Sequence, residues 1–246
     1  MTSSIVSFGM NPCIVSFFMN NIDMKTVGLQ RSVVEKFNRS NVKHYQIQVD
    51  LPHGVAMDYF WALNGSPVEA FEGKVEKQMD HDAVLFLDID AIPVMDRSID
   101  TYLAYAYEGH LGGNAQSSNH IGDGQHMFAA PSAVAISKQT YDKIGRPSAY
   151  ENPNSDVGEE WTRAARKHAI PVDLAMPVCY NEPPVRYDWE PKDAPPYWTL
   201  AKGFPNYGQG TTFSDSIGPL FYHQFQIRMG GVQEKFWQKC ESLLTE

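Results

Sequence analysis

Asp88 and Asp90, separated by Ile89, stand directly after the apolar run Ala83-Val84-Leu85-Phe86-Leu87. Such a run fits a strand buried on both faces. In an open α/β sheet, ligands bind outside the carboxyl ends of strands. If the chain stays extended through residue 90, positions i and i+2 share a face, and both carboxylates serve one site. Two carboxylates that close repel by roughly a few kcal/mol in a protein-like dielectric. A divalent cation removes that repulsion. Hard oxygen ligands suit Mg2+ or Mn2+ and leave coordination positions for ligand phosphates. The alternative reading is a polar turn that caps the strand.

The histidines carry more than one reading. In Phe221-Tyr222-His223-Gln224-Phe225, strand alternation places His223 on one face with Phe221 and Phe225, where a satisfied core histidine is expected. His53, just before Gly54, either contacts a phosphate or nucleoside or only shapes a turn. His110, His120 and His126 flank a Gly-rich stretch, but no HxxxH or HExxH spacing supports zinc.

Short apolar runs alternate with helical patterns over the first half, which predicts βαβ units and a mostly parallel sheet. Residues 13–19 read as a strand, Val27 to Phe37 as a helix with an imperfect apolar stripe, and Tyr45 to Val49 as a second strand. Helical stretches follow around 56–63 and 68–79, then the strand Ala83 to Leu87. Asp96 is expected to cap a helix whose inward face is Ile99, Tyr102, Leu103 and Ala106. Residues 109–126 read as irregular, Ala133 to Ile136 as a short strand, and Lys138 to Ile144 as a short helix stopped by Gly145. Val157, Trp161, Ala164, Ala165 and His168 mark an amphipathic helix. The proline-rich stretch from Pro183 to Pro219 reads as a long structured loop. Its Trp189, Trp198 and Tyr207 form either an acceptor-side wall or a local mini-core. Leu220 to Ile227 returns to a strand pattern, and Val232 to Leu244 to a helix.

Composition narrows the function classes. The chain has 246 residues, 43% apolar and 20% charged, which is too apolar for disorder. Its 29 acidic against 20 basic residues give a net charge of −9. No Lys/Arg run offsets that charge, so nucleic acid is not an expected partner. No segment is long and apolar enough to predict a membrane span. The stretch Cys13 to Phe18 has no positive residue before it and follows Asn11-Pro12, so it reads as a buried strand and not a signal core. Three cysteines, 13, 179 and 240, make no disulfide framework, and a cytoplasmic location is expected. Dinucleotide fingerprints, Walker A sequences and nucleophile elbows do not occur.

The apolar strand followed by Asp-x-Asp and Ile-Pro resembles the metal and nucleotide-sugar motif of GT-A fold glycosyltransferases, the nucleotide-diphospho-sugar transferase superfamily of family 2-like enzymes. Further segments match that family in order. Ile14 to Asn20, including Ser16, is similar to its first strand and nucleotide-binding loop. Asp50 is similar to the acidic residue that ends the second strand near the base. Pro52-His53-Gly54 to Asp58 is similar to the nucleotide-contacting loop and helix before the Asp-x-Asp strand, and Ala130 to Ser137 to the acceptor-side segment. Ser155-Asp156-Val157-Gly158-Glu159-Glu160-Trp161 occupies the slot of the family's acidic motif, and Tyr222-His223-Gln224 that of its metal-binding histidine. The chain is also similar to small enzymes of this fold carried by large DNA viruses.

The resemblance implies a single α/β domain of GT-A type, Rossmann-like, with a mixed, mostly parallel central sheet flanked by helices. Residues up to about 95 form the nucleotide-sugar-binding half and residues from about 96 to 246 the acceptor-binding half. It implies a metal-dependent, inverting transfer of a sugar from a nucleotide-diphosphate donor to a hydroxyl of a glycan or other acceptor. Mn2+ or Mg2+ would be held by Asp90, Asp88 and His223. Asp88, Asp50, His53, Ser16 and Asn20 would contact the donor. The base is open among Asp156, Glu160 and Glu159, because the family's usual adjacent Glu-Asp pair is spread out here. Asp156 and Glu160 share a helix face at spacing four, Asp156 and Glu159 match a capping box, and Glu159 is placed to pair with Arg163.

Two other readings stand beside this one. Leu87 to Ile92 also resembles the nucleophile motif of haloacid-dehalogenase-like phosphatases, although Ile92 replaces the usual Thr or Val. A GT-A relative that binds sugar without turnover is the third, since fold does not fix function.

Overall fold

A computed structural model describes residues 10–64, 80–118, 126–183 and 208–246. Within these, the strands form one nine-stranded sheet in the order β2-β1-β3-β6-β5-β7-β8-β9-β4. The strands are β1 (Pro12–Phe18), β2 (Lys43–Gln48), β3 (Ala83–Asp88), β4 (Ala91–Pro93), β5 (Leu111–Ser117), β6 (Met127–Ser137), β7 (Val172–Cys179), β8 (Gln209–Ser214) and β9 (Pro219–Gln224). The described helices are α1 (Met24–Phe37), α2 (His53–Leu63), α3 (Ser98–Tyr107), α4 (Lys138–Lys143), α5 (Glu159–Lys167) and α6 (Val232–Thr245).

The sheet is mixed, as expected, but mostly antiparallel where a mostly parallel one was expected, because β6, β8 and β9 run back against their neighbours. β1 pairs parallel with β2 and β3, and β5 with β7. The pairs β3–β6, β5–β6, β7–β8, β8–β9 and β4–β9 are antiparallel. Alternation along the parallel strands separates two cores. Cys13, Val15, Phe17, Val84 and Phe86 face Met57 and Phe60 of α2 and Trp161 of α5. Ile14, Leu85 and Leu87 face Ile99, Tyr102 and Leu103 of α3. A third cluster joins Val33 and Phe37 of α1 to Phe236, Cys240 and Leu243 of α6.

Several boundaries differ from the sequence reading, each for a local reason. The stretch read as irregular over 109–126 contains β5. Its Gly112 and Gly113 are not turn residues but points of close approach: a Cβ at Gly112 would lie 2.5 Å from Tyr105 Cδ2, and one at Gly113 2.6 Å from Ala129 Cβ. The short strand at 133–136 is the second half of the longer β6. Asp96 does not cap α3. It pairs with Arg39 at 2.9 Å, and the Ser98 hydroxyl instead accepts the Met95 N–H. The helix expected from Val157 starts at Glu159, because Gly158 occupies the left-handed region (φ 78°). β7, which contains Pro177 and is half exposed, and β8, inside the proline-rich stretch, carry no clean period-two signal. Gly145 (φ 87°) follows α4 as expected. The helix read at 68–79, His120, and Trp189, Trp198 and Tyr207 lie outside the described residues.

Candidate active site

Asp88 ends β3, in register with Phe17 of β1. The chain then turns through Ile89 and Asp90 and leaves that sheet neighbourhood to form β4. β4 pairs with β9 so that Ala91 stands opposite His223. Two strands from distant parts of the chain thus deliver two carboxylates and an imidazole to one point. Among the described residues, Asp88, Asp90 and His223 are the group whose ligand atoms lie within 4.8 Å of one another. His223 Nε2 is 3.4 Å from Asp90 Oδ1 and 3.7 Å from Asp88 Oδ2. His53, the first residue of α2, places Nδ1 2.7 Å from Asp88 Oδ1 and stands edge-on to Phe17.

These groups line a cavity of about 690 Å3 with Phe17, Gln116, Ser132 and Arg228 also on its wall. Burial alone would raise the Asp88 carboxyl, but the charge and hydrogen bond of His53, with His223 and Arg228, hold it below its ordinary value. Burial alone would lower both histidines. Asp88, and then Asp90, raise His53 above the usual imidazole range, and Asp90, then Asp88, raise His223. His53 Nε2 and His223 Nδ1 are buried without a hydrogen-bond partner. Two hard oxygens and one imidazole nitrogen converging beside a roomy cavity fit a divalent cation that keeps open positions for phosphate oxygens.

The structure brings together four of the expected residues: His53, Asp88, Asp90 and His223 all line the cavity. The others lie elsewhere. Ser16 is fully buried, and its hydroxyl meets His44 Nε2 at 3.1 Å and accepts from Gln30 Nε2 at 3.1 Å. Asp50 and Asn20 are exposed, and neither is among the described lining residues, although Asn21 is.

The acidic segment borders the cavity without lining it. A Cβ at Gly158 would sit 3.8 Å from Cδ of Pro131, which forms part of the cavity wall. Glu159 is fully buried. One of its oxygens accepts from Arg163 Nη2 and Nε at 2.6 and 3.1 Å, the other from Ser118 Oγ at 3.0 Å and the Asp156 N–H at 2.9 Å. This is one half of a capping box, the Glu159 carboxylate on the Asp156 N–H, together with the i, i+4 ion pair; the Glu159 N–H returns to the Asp156 backbone carbonyl at 3.1 Å. Glu160 is half-buried and meets Arg163 Nη1 at 3.2 Å. Asp156 is half-buried at the head of the turn.

That turn is tied to α2. The Ala149 N–H donates to Asp58 of α2 at 2.8 Å, and the Ala149 carbonyl accepts from Gly158 N–H at 2.9 Å. Gly54 is required there, because a Cβ would lie 2.4 Å from the Ala149 oxygen. Sequence reasoning missed Arg228, which has no motif around it. It also missed Gln30, whose signal was a polar residue on the inward stripe of α1.

No family model matches the chain, and no curated protein matches it. Fold comparison finds partial similarity to several solved glycosyltransferase structures at low sequence identity. The chain is similar to the catalytic domain of a Drosophila β1,4-galactosyltransferase 7 in complex with xylobiose, at 8% identity and a TM-score of 0.43, over 67% of this chain and 64% of that one. A mutant of the Drosophila enzyme in complex with manganese, UDP-Gal and xylobiose gives 9% identity and a TM-score of 0.40 over 66% and 64%. A glycosyltransferase involved in glycosylation of the major capsid of PBCV-1 gives 11% identity and a TM-score of 0.40 over 94% and 100%. The chain thus spans just under two thirds of the Drosophila structures.

Proposed function

We propose that this chain is a metal-dependent glycosyltransferase that moves a sugar from a nucleotide-diphosphate donor to an acceptor hydroxyl, with inversion. The observation that supports it is the convergence of Asp88, Asp90 and His223 on one cavity at the carboxyl end of β3. A Mn2+ or Mg2+ ion held by these three side chains would offset the charge that builds on a departing diphosphate. Donor-side residues before about 95 supply the two aspartates and His53, and β9 of the acceptor-side half supplies His223. Asp50 and Asn20 enter this reading only as sequence neighbours of the lining residues Val49, Leu51 and Asn21, and Ser16 through Gln30, which bonds the Asp88 carbonyl.

The chain's own groups divide the remaining work. Arg228 presents a positive charge to the cavity. His53, with Nδ1 committed to Asp88, turns its unpartnered Nε2 to a phosphate oxygen and donates to it when the ring is protonated. Asp156 takes the proton from the acceptor hydroxyl as that oxygen attacks the anomeric carbon, which passes through an oxocarbenium-like state. Glu160 is the next candidate for this role. The Glu159 carboxylate is already taken up by Arg163, Ser118 and the Asp156 N–H, which favours a structural part for it.

A thermal-shift panel of nucleoside diphosphates with and without Mn2+ tests the reading. At ligand near 100 times its Kd, one diphosphate is expected to add about 2.7 kcal/mol, or roughly 5–10 °C in Tm, only when Mn2+ is present. Indifference to every diphosphate refutes it. Hydrolysis of a generic phosphomonoester without nucleotide-sugar binding favours the phosphatase alternative.

A further inference from the structure

Gln30 is fully buried on α1, at a stripe position where its neighbours Val27, Val33 and Val34 are apolar. A buried amide is costly unless its hydrogen bonds are made, and here they are made to one target. Gln30 Nε2 donates to the Asp88 carbonyl at 2.8 Å and reaches the Ala91 carbonyl at 3.2 Å and Ser16 Oγ at 3.1 Å. It therefore spans the turn that carries Asp88, Ile89 and Asp90, gripping the backbone on both sides. Another carbonyl of the turn, that of Asp90, accepts from the Gln224 N–H of β9 at 2.9 Å.

The amide cannot rotate freely. Gln30 Oε1 accepts from Gln46 Nε2 at 2.8 Å, and Gln46 is itself fixed by the Val27 carbonyl at 2.8 Å and by Arg31 Nε at 2.8 Å. A chain of side chains thus runs from the surface of α1 and β2 to the back of the acidic turn. None of its members lines the cavity. An apolar residue at position 30 would leave the Asp88 and Ala91 carbonyls without this donor and Gln46 without this acceptor.

We propose that Gln30 is a positioning residue that holds the Asp88–Asp90 turn in the shape in which both carboxylates face His223, with Gln46 fixing its amide. The inference rests on the metal reading above. It predicts that Gln30→Leu weakens Mn2+ binding about 10- to 100-fold, the range found when groups that hold metal ligands are removed. Gln46→Leu is expected to weaken it less, in the same direction.

The experiment is Mn2+ titration followed by the loss of the free-ion electron paramagnetic resonance signal. It is run on full-length protein at a temperature where near-ultraviolet circular dichroism shows each variant folded. Leu243→Ala, in the α1–α6 cluster and not itself a lining residue of the cavity, is the control that loses stability without losing Mn2+ affinity. Affinity within about twofold of wild type in Gln30→Leu overturns the proposal, as does an equal loss in Leu243→Ala. If Gln30→Leu does not fold, Gln46→Leu decides in the same way. Wild-type protein that binds no Mn2+ overturns the metal reading itself. Wild type that binds while Asp90→Asn does not, with the Gln30 and Gln46 variants unaffected, overturns only this inference.

Discussion

Glu159→Gln separates the structural and catalytic parts that the acidic segment offers. The wild-type carboxylate is fully buried and accepts from Arg163, Ser118 and the Asp156 N–H, and His126 Nε2 lies 3.2 Å away. An amide at this position is neutral and must aim its NH2 group at one set of donors, so either Arg163 or the Asp156 N–H loses this acceptor. Arg163 is partly exposed and keeps Glu160 and the Asn154 carbonyl as acceptors, so the cost is that of a buried group left without its partner, about 1–3 kcal/mol. At about 2–4 °C per kcal/mol for a chain of this size, Tm should fall by roughly 2–12 °C. Calorimetry of wild type and variant reads this directly, and glycosyl transfer measured at a temperature where both are folded reads the chemistry. The structural assignment predicts this loss of Tm with much of the turnover kept. A variant with unchanged Tm and abolished turnover would refute it and make Glu159 the base in place of Asp156.

Two further predictions follow from other sites. Asp90→Asn should abolish the Mn2+-dependent Tm gain with nucleoside diphosphate, because it removes one of the two oxygen ligands; an unchanged gain in a thermal-shift assay would remove Asp90 from the cation site. His44, whose burial, with nearby Arg31, lowers its pKa to about 4, should make the fold acid-sensitive. Between its unfolded value near 6.5 and about 4 the unfolded chain takes up a proton that the folded chain refuses, so stability is full above pH 6.5 and falls on acidification. The loss reaches at most about 3 kcal/mol below pH 4. Urea midpoints of wild type and His44→Gln between pH 7 and 4 should diverge accordingly, and parallel curves would show that His44 carries no such linkage.

The Asp88–Asp90–His223 cluster was partly legible in the sequence because the strand before it leaves an unambiguous trace. Five consecutive apolar residues mark a strand buried on both faces, and an acidic pair directly after them stands out. His223 was ambiguous from its own neighbours, since Phe221, His223 and Phe225 alternate as a core face would. Its place opposite Ala91 depends on the β4–β9 pairing, and β4 is too short to show periodicity. Glycines misled the reading of β5, where they mark close contact with Tyr105 and Ala129 and not a turn. The D-x-x-E pattern at 156–159 was visible as a capping box, and Glu159 makes that hydrogen bond. Gln30 was hidden for the opposite reason: a polar residue in a helical stripe looks like noise until its acceptors, 58 and 61 residues away, are known.

The single residue Ala149 joins two elements that the sequence keeps about a hundred positions apart. Through its N–H it is moored to Asp58, and through its carbonyl to Gly158. The helix that begins with His53 and the turn that carries Asp156 therefore share one hinge pin. A change in either element, such as a larger residue at 54 or an insertion between 147 and 155, is transmitted to the other. The two sides of the cavity are thus constrained to drift together rather than independently.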